Sequence, residues 1–193
     1  MYKKLRMNIF YLDKDPVKAA QIQYNKHVVK MILESAQMLC TAHHHYAEEL
    51  GYDNSYIPYK KAHYNHPSTI WCRQNSRQYY WLFHHMVALG NEYTKRYNKT
   101  HLTITKCFDV LQYCPVGMPL GGKFNQPPQA MPDEFKRACA IHAYWLYYVY
   151  DKKHIAHNKE SLYDTKYIKD TFGYSDDLSC YAGADGQYSA HNG

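Results

Sequence analysis

Asn25-Lys-His-Val-Val-Lys30-Met-Ile-Leu-Glu34-Ser-Ala-Gln-Met-Leu-Cys40-Thr-Ala-His-His-His45 is the stretch on which the reading of the chain turns. On a helix of about 3.6 residues per turn, Val28, Val29, Ile32, Leu33, Ala36, Leu39 and Cys40 fall on one broad apolar arc. His27, Lys30, Glu34, Gln37, Thr41 and His45 fall on one narrow polar stripe, each three or four residues from the next. Side chains at that spacing face one another on a helix surface. An imidazole, an ammonium and a carboxylate therefore come within reach of each other. Such a stripe is either the solvated face that every amphipathic helix needs or one wall of a cleft. The rest of the chain bears on the choice.

Upstream, Asp15-Pro16 is a helix start, with Asp as cap and Pro at the first helical position. A short helix to about residue 24 follows, after which Asn25 is a candidate cap for the long helix, expected over 26–50. Gly51 ends it. Residues 52–65 form a polar, aromatic loop, and His66-Pro67 opens another helical turn. Ser76 is a candidate cap for a helix over 77–97, and 103–113 suits a shorter one. Residues 114–129 are rich in Pro and Gly and read as a long loop, a feature usually tied to function or mobility. Pro132 starts the last helix, expected over 133–155. No segment shows a strand period of any length, so the fold expected is all-α: a single compact helical domain over 1–157, built on the long central helix. A polar, Tyr-rich tail or strap is expected over 158–193.

Composition narrows the chemistry. Tyrosine contributes 22 residues, each with a flat apolar ring and a polar tip that suit base stacking as well as half-buried packing. The net charge of +6 favours an anionic partner without demanding one. The six cysteines form no Cys-x-x-Cys pair and sit mostly in apolar helical patterns, which reads as free thiols in a reducing compartment. With no signal peptide and no apolar run of membrane length, the expected location is the cytoplasm. His43-His44-His45 is no metal site, since consecutive helical residues point about 100° apart. No Cys/His ligand spacing appears either. Neither metal nor cofactor is expected.

Further along stand Asn65-His66-Pro67-Ser68-Thr69-Ile70-Trp71, then Arg73, Tyr80, His84 and His85, then Glu92, Arg96, Tyr97, Asn98 and His101. In this order the chain resembles the pyrimidine-dimer DNA glycosylases of the phage endonuclease V type. The matching positions are His66, Pro67, Trp71, Glu92, Arg96, Tyr97, Asn98 and His101, and the likeness runs from about residue 7 to 153. The resemblance implies an all-α fold, cleavage of a base–sugar bond, and a phage-encoded protein acting in the host cell cytoplasm. It also implies an N-terminal α-amine as nucleophile and a glutamate near the start of the long helix. This chain departs on both counts. Lys26-His27 brings an imidazole where the carboxylate would stand, and Met1-Tyr2 opens six extra residues before Met7-Asn8.

Breaking a base–sugar bond builds positive charge on the sugar, which an opposed carboxylate stabilises, while a neighbouring acid protonates the leaving base. Glu34, with His27 and Lys30, is the candidate catalytic set. His63 and His66 are candidates to reach in from the loop, Trp71, Tyr97 and His101 to contact the substrate, and Arg73 and Arg96 to hold phosphate. Each has a plainer role open to it: Lys30–Glu34 as an ordinary helix pair, Trp71 as core, Arg96 as a partner for the helix dipole. The substrate is damaged DNA or a free or cyclic nucleotide immune signal. The modest, scattered charge leans towards the smaller ligand. The alternative is a non-catalytic protein that sequesters a host cyclic nucleotide, which loss of the family glutamate favours.

Overall fold

The structure is a computed structural model and describes residues 7–155. The short basic lead and the tail expected over 158–193 lie outside the described residues. Among the described residues, six α-helices follow in chain order: α1 (Pro16–Ile22), α2 (Asn25–Leu50), α3 (Pro67–Cys72), α4 (Ser76–Tyr97), α5 (Leu102–Leu111) and α6 (Ala140–Leu146). There is no strand among the described residues, and the protein is a single compact all-α domain. No described helix is long and apolar enough to cross a membrane.

The punctuation follows local chemistry. The Asp15 carboxylate accepts from the Val17 amide at 2.8 Å and so caps α1. Gly51 ends α2 in the left-handed region, at φ 72°, which its missing β-carbon permits. His66 caps α3 and His101 caps α5, each through Nδ1. Two caps differ from those the sequence suggests. Asn75, one residue before Ser76, caps α4 by accepting from the amides of Arg77 and Gln78. Ser76 instead accepts from the Gly121 amide and ties down the long loop. Tyr24 stands at the cap position of α2, and Asn25 uses its side chain elsewhere, as described below.

The last helix is also shorter than expected. Instead of one helix over 133–155, a single 3₁₀ turn (Asp133–Phe135) precedes an extended link to α6, which runs on into a wide turn (Tyr147–Asp151) and a tight one (Lys152–Ile155). Side chains of the loop hold the link extended. The Gln129 amide brackets the backbone of Arg137, accepting from its N–H at 2.9 Å and donating to its carbonyl. Gln126 accepts from the Ala140 amide at 2.7 Å.

Helix α2 runs through the middle of the domain. It packs on α3, α4 and α5, while α1 packs on α4. Because neighbours cover it on several sides, its buried arc is wider than the sequence suggests and is rotated. Met31, Ser35, Met38 and Ala42 are buried, whereas Val29 and Leu33 are each 38% exposed. The open strip passes through Lys26, Val29, Lys30 and Leu33. Tyrosine carries much of the core: Tyr24, Tyr79, Tyr144 and Tyr148 are fully buried. Buried hydroxyls must find partners. Tyr79 donates to the Leu111 carbonyl, Tyr144 to the Pro128 carbonyl, and Tyr148 meets Tyr24 and His27.

One ion pair fixes the corner between α1 and α2. Arg96, near the end of α4, pairs with Glu92 one turn back, with both side chains almost wholly buried. Its guanidinium also donates to the carbonyls of Gln21 and Gln23 and to the Asn25 side chain. The two carbonyls belong to the end of α1, and Asn25 opens α2.

Removing the clamp should be costly. Arg96→Ala strands the buried Glu92 carboxylate and should lower the unfolding free energy by roughly 3–5 kcal/mol. A urea titration with an unshifted midpoint would show the clamp to be idle. A second expectation concerns pH. His85 and His43 are buried and neutral, with pKa values lowered by burial to about 4, and burial lowers that of His27 to about 3. Below about 6.5 the unfolded chain takes up protons that the folded chain refuses, so stability falls as pH drops from there towards 4, by up to roughly 1.4 kcal/mol per unit and group. Glu34 acts in the opposite sense, because burial raises its pKa, but it is one group against three. Unfolding free energies measured at pH 7, 6 and 5 should decline in that order. A flat profile would contradict the neutral burial of these rings.

Candidate active site

The site begins with a turn in the buried segment before α1. The Asn8 side-chain oxygen accepts from the amides of Ile9 and Phe10, closing a tight turn that asparagine favours. Phe10 is driven to φ 53°, a conformation that costs a residue with a β-carbon about 1–2 kcal/mol. The strain has a visible return, since the Phe10 ring stacks on His27 with centroids 4.2 Å apart. The Asn8 amide N–H donates to Glu34 Oε2 at 3.1 Å. Its side-chain nitrogen donates to the Ala130 carbonyl at 2.9 Å.

Glu34 is 6% exposed. Besides the Asn8 amide, its carboxylate receives Lys30 Nζ at 2.8 Å. Burial raises its pKa, and Lys30, the Asn8 amide and His63 pull it back down. The two partners divide between inside and outside, the Lys30 side chain being 61% exposed and that of Glu34 only 8%.

His27 stands two turns before Glu34. Its Nδ1 is 2.7 Å from the Tyr148 hydroxyl, and that hydroxyl accepts from the Tyr24 amide at 2.8 Å. The hydroxyl hydrogen can go to Nδ1, and in that tautomer the neutral ring carries its proton on Nε2. Burial above all, then Lys152, Lys30 and His154, lowers the His27 pKa to about 3. The ring is therefore a neutral N–H donor at ordinary pH.

A cleft of about 760 Å³ lies between Pro67, residues 128–131 and residues 136–138, a volume suited to a nucleotide-sized ligand. Tyr144 holds one wall through Pro128, and the Gln129–Arg137 bracket joins the two walls. Lys136 and Arg137 give the lining its positive charge. Asn8 links cleft to carboxylate, with Ala130 on one side of it and Glu34 on the other. No group of three or more His, Cys, Asp or Glu side chains suited to a metal occurs among the described residues, and the described cysteines are free.

Lys30 and Glu34 touch directly. His27 sits one turn from Lys30 on the same stripe, and the Lys30 charge helps to keep its ring neutral. His63, held at φ 48°, lies near enough to influence Glu34. His66 caps α3, and its neighbour Pro67 lines the cleft. The remaining candidates are engaged elsewhere. Trp71 is buried against Trp81 and Phe124 and donates to the Asn125 carbonyl at 2.7 Å, anchoring the long loop. Arg73 lies over the Tyr64 ring and donates to the Tyr64 carbonyl. Its own carbonyl accepts from Tyr46, which is twelve residues past Glu34, or about 18 Å along α2. Arg96 gives its five N–H positions to protein acceptors. Tyr97 and His101 pack on Tyr93 near the α4–α5 junction.

Asn8, Phe10, Tyr148 and the cleft walls do not stand out in the sequence. The Lys136-Arg137 doublet was the available signal for the walls. Tyr148 is hidden in an aromatic run whose members look alike until packing separates them.

Comparison with curated proteins and with solved structures gives no match. A family model described as pyrimidine dimer DNA glycosylase matches residues 7–105, just over half of the chain. The match takes in Asn8, Phe10, the whole of α2 with His27, Lys30 and Glu34, the His66-Pro67 turn, and the Arg96 clamp. Tyr148 and the cleft walls beyond Pro67 lie past its end. On the strength of that match, the chain belongs to the pyrimidine dimer DNA glycosylase family.

Proposed function

We propose that the cleft takes a damaged base in DNA, a pyrimidine dimer being the first candidate from the family's name, and releases it by hydrolysis of the base–sugar bond. The observation that carries this reading is the buried Glu34 carboxylate, held by Lys30 and the Asn8 amide, with Asn8 also bonded to the cleft wall at Ala130. As the bond to the base breaks, positive charge grows on the sugar. A fixed carboxylate in a poorly solvated site stabilises that charge far better than water does. Glu34 also has the basicity to draw a proton from an attacking water, since burial raises its pKa. His27 takes a different part from the family glutamate whose place it occupies. As a neutral ring with its proton on Nε2, it donates a hydrogen bond to the departing base and bears no charge that would oppose the cationic sugar. Lys136 and Arg137 hold backbone phosphate, and a base turned out of the stack occupies the cleft.

Glu34→Gln keeps the shape and removes the charge. Base release from ultraviolet-irradiated DNA should fall by roughly 10²–10³ while affinity changes little. Lys136→Ala and Arg137→Ala should weaken binding and reduce its salt dependence by about one unit of slope for each phosphate no longer neutralised. Free and cyclic nucleotides form a second arm of the assay. A wild-type protein that releases no base from damaged DNA, or a Glu34→Gln variant that releases it at the wild-type rate, would sink the proposal.

A further inference from the structure

The structure assigns Tyr148 the part of a positioning residue: its hydroxyl holds His27 in the tautomer that keeps a proton on Nε2, and so fixes a neutral N–H donor for the departing base. This inference deepens the base-release reading and rests on it for the role of His27, whereas the tautomer itself can be read without any reaction.

A count of hydrogens decides the tautomer. Among the described residues the Tyr148 hydroxyl meets two nitrogens, the Tyr24 amide at 2.8 Å and His27 Nδ1 at 2.7 Å. The amide can only donate, so it occupies one lone pair of the oxygen. Were Nδ1 to donate as well, the hydroxyl hydrogen would have no acceptor, on a side chain that is fully buried. A buried donor left without a partner is costly. The bond is satisfied the other way, with the hydroxyl donating to a bare Nδ1. Burial keeps the ring neutral, and a neutral imidazole carries one proton. That proton is then on Nε2, which no group among the described residues engages.

The Tyr148 oxygen is itself held in place. Its ring stacks on Tyr24 with centroids 4.3 Å apart and planes 17° from parallel, and the Tyr24 hydroxyl reaches back to the Tyr148 carbonyl at 3.5 Å. Tyr24 stands at the cap position of α2 and makes no side-chain cap bond there. The hydroxyl that faces His27 therefore also ties down the start of its helix. The imidazole is bounded by Phe10 at 4.2 Å on one side and by Tyr148 at 5.2 Å, tilted by 45°. Its plane and its proton are thus fixed together. Tyr148 comes from the wide turn (Tyr147–Asp151), a geometry frequent at functional sites. Of the three tyrosines in that turn, it alone is buried.

Nitrogen NMR on the full chain with isotopically labelled histidine reads the tautomer directly, because protonated and bare ring nitrogens differ widely in shift. His27→Ala identifies the signal. At pH 7 wild type should show His27 protonated on Nε2 and bare on Nδ1. Tyr148→Phe keeps the ring and removes the hydroxyl, so the Nδ1 signal should lose the shift of a hydrogen-bonded nitrogen. Base release from ultraviolet-irradiated DNA should fall by roughly 10-fold to 10²-fold in kcat with KM little changed, the mark of lost alignment rather than lost binding. A double-mutant cycle separates this from a general weakening of the fold: in a His27→Ala background, Tyr148→Phe should cost less than about twofold more in kcat. If Tyr148→Phe does not fold, the wild-type spectrum still decides the tautomer. A ring protonated on Nδ1 or charged at pH 7 would overturn the inference. So would full kcat in folded Tyr148→Phe, or an undiminished loss in the His27→Ala background. Base release alongside an Nδ1-protonated ring would leave the proposed function standing. An Nε2 tautomer in a protein that releases no base from any DNA would do the reverse, and leave only the hold of Tyr148 on the ring.

Discussion

The Arg96 guanidinium is the constraint on which the rest of the domain depends. A planar cation with five N–H donors is costly to bury unless every donor has a partner. Here the partners are Glu92, the Gln21 and Gln23 carbonyls and the Asn25 side chain. They belong to three helices, so the requirement to satisfy one side chain also fixes how α1, α2 and α4 meet. The first turn of α2 starts at that junction. His27 lies on it, and Lys30 and Glu34 follow at helical spacing. The polar stripe of α2 is thus aligned from one end by a buried ion pair.

At the other level the site is governed by burial. Glu34 and His27 answer it in different ways. The carboxylate keeps two donors, Lys30 and the Asn8 amide, yet burial remains the largest influence on it and its pKa goes up. The imidazole lies between Phe10 and Tyr148 and resolves the same cost by staying neutral. A carboxylate with a neutral donor two turns away suits the proposed breaking of a base–sugar bond, where the sugar gains positive charge and the base gains negative charge. Had His27 been charged, it would have opposed the first of these. Holding it neutral is above all the work of burial, helped by Lys152, Lys30 and His154, and the Phe10 and Tyr148 rings that pack on it come from distant parts of the chain.

The family match ends inside α5, so Tyr148 and most of the cleft belong to the later, less regular part of the chain. That region is held by side chains where a regular helix would use its own backbone. Gln126, Gln129 and Tyr144 each bond to main chain within residues 128–140. An irregular backbone presents polar groups and room to a ligand, which a closed helix does not. The helical half thus carries Glu34, Lys30 and His27, and the irregular half most of the cleft lining.

Sequence alone determined the helical class, the long central helix, the Asp15, His66 and Gly51 boundaries, the family, and the grouping of Lys30 with Glu34. Apart from the family, which rests on the order of its motifs, these follow from local rules: helical period, capping chemistry, and the three- or four-residue spacing that makes neighbours. Tertiary structure decided the rest. It rotated the buried face of α2 away from Val29 and Leu33, because the cover on a central helix depends on what packs around it. It engaged all five N–H groups of Arg96 with Glu92, carbonyls of α1 and the Asn25 side chain, and it laid Arg73 over the Tyr64 ring. It brought Asn8, Phe10 and Tyr148 to the stripe across separations of up to about 120 residues. No local pattern encodes such pairings. They arise because buried polar groups on one segment must be satisfied by whichever other segment the packing brings beside them.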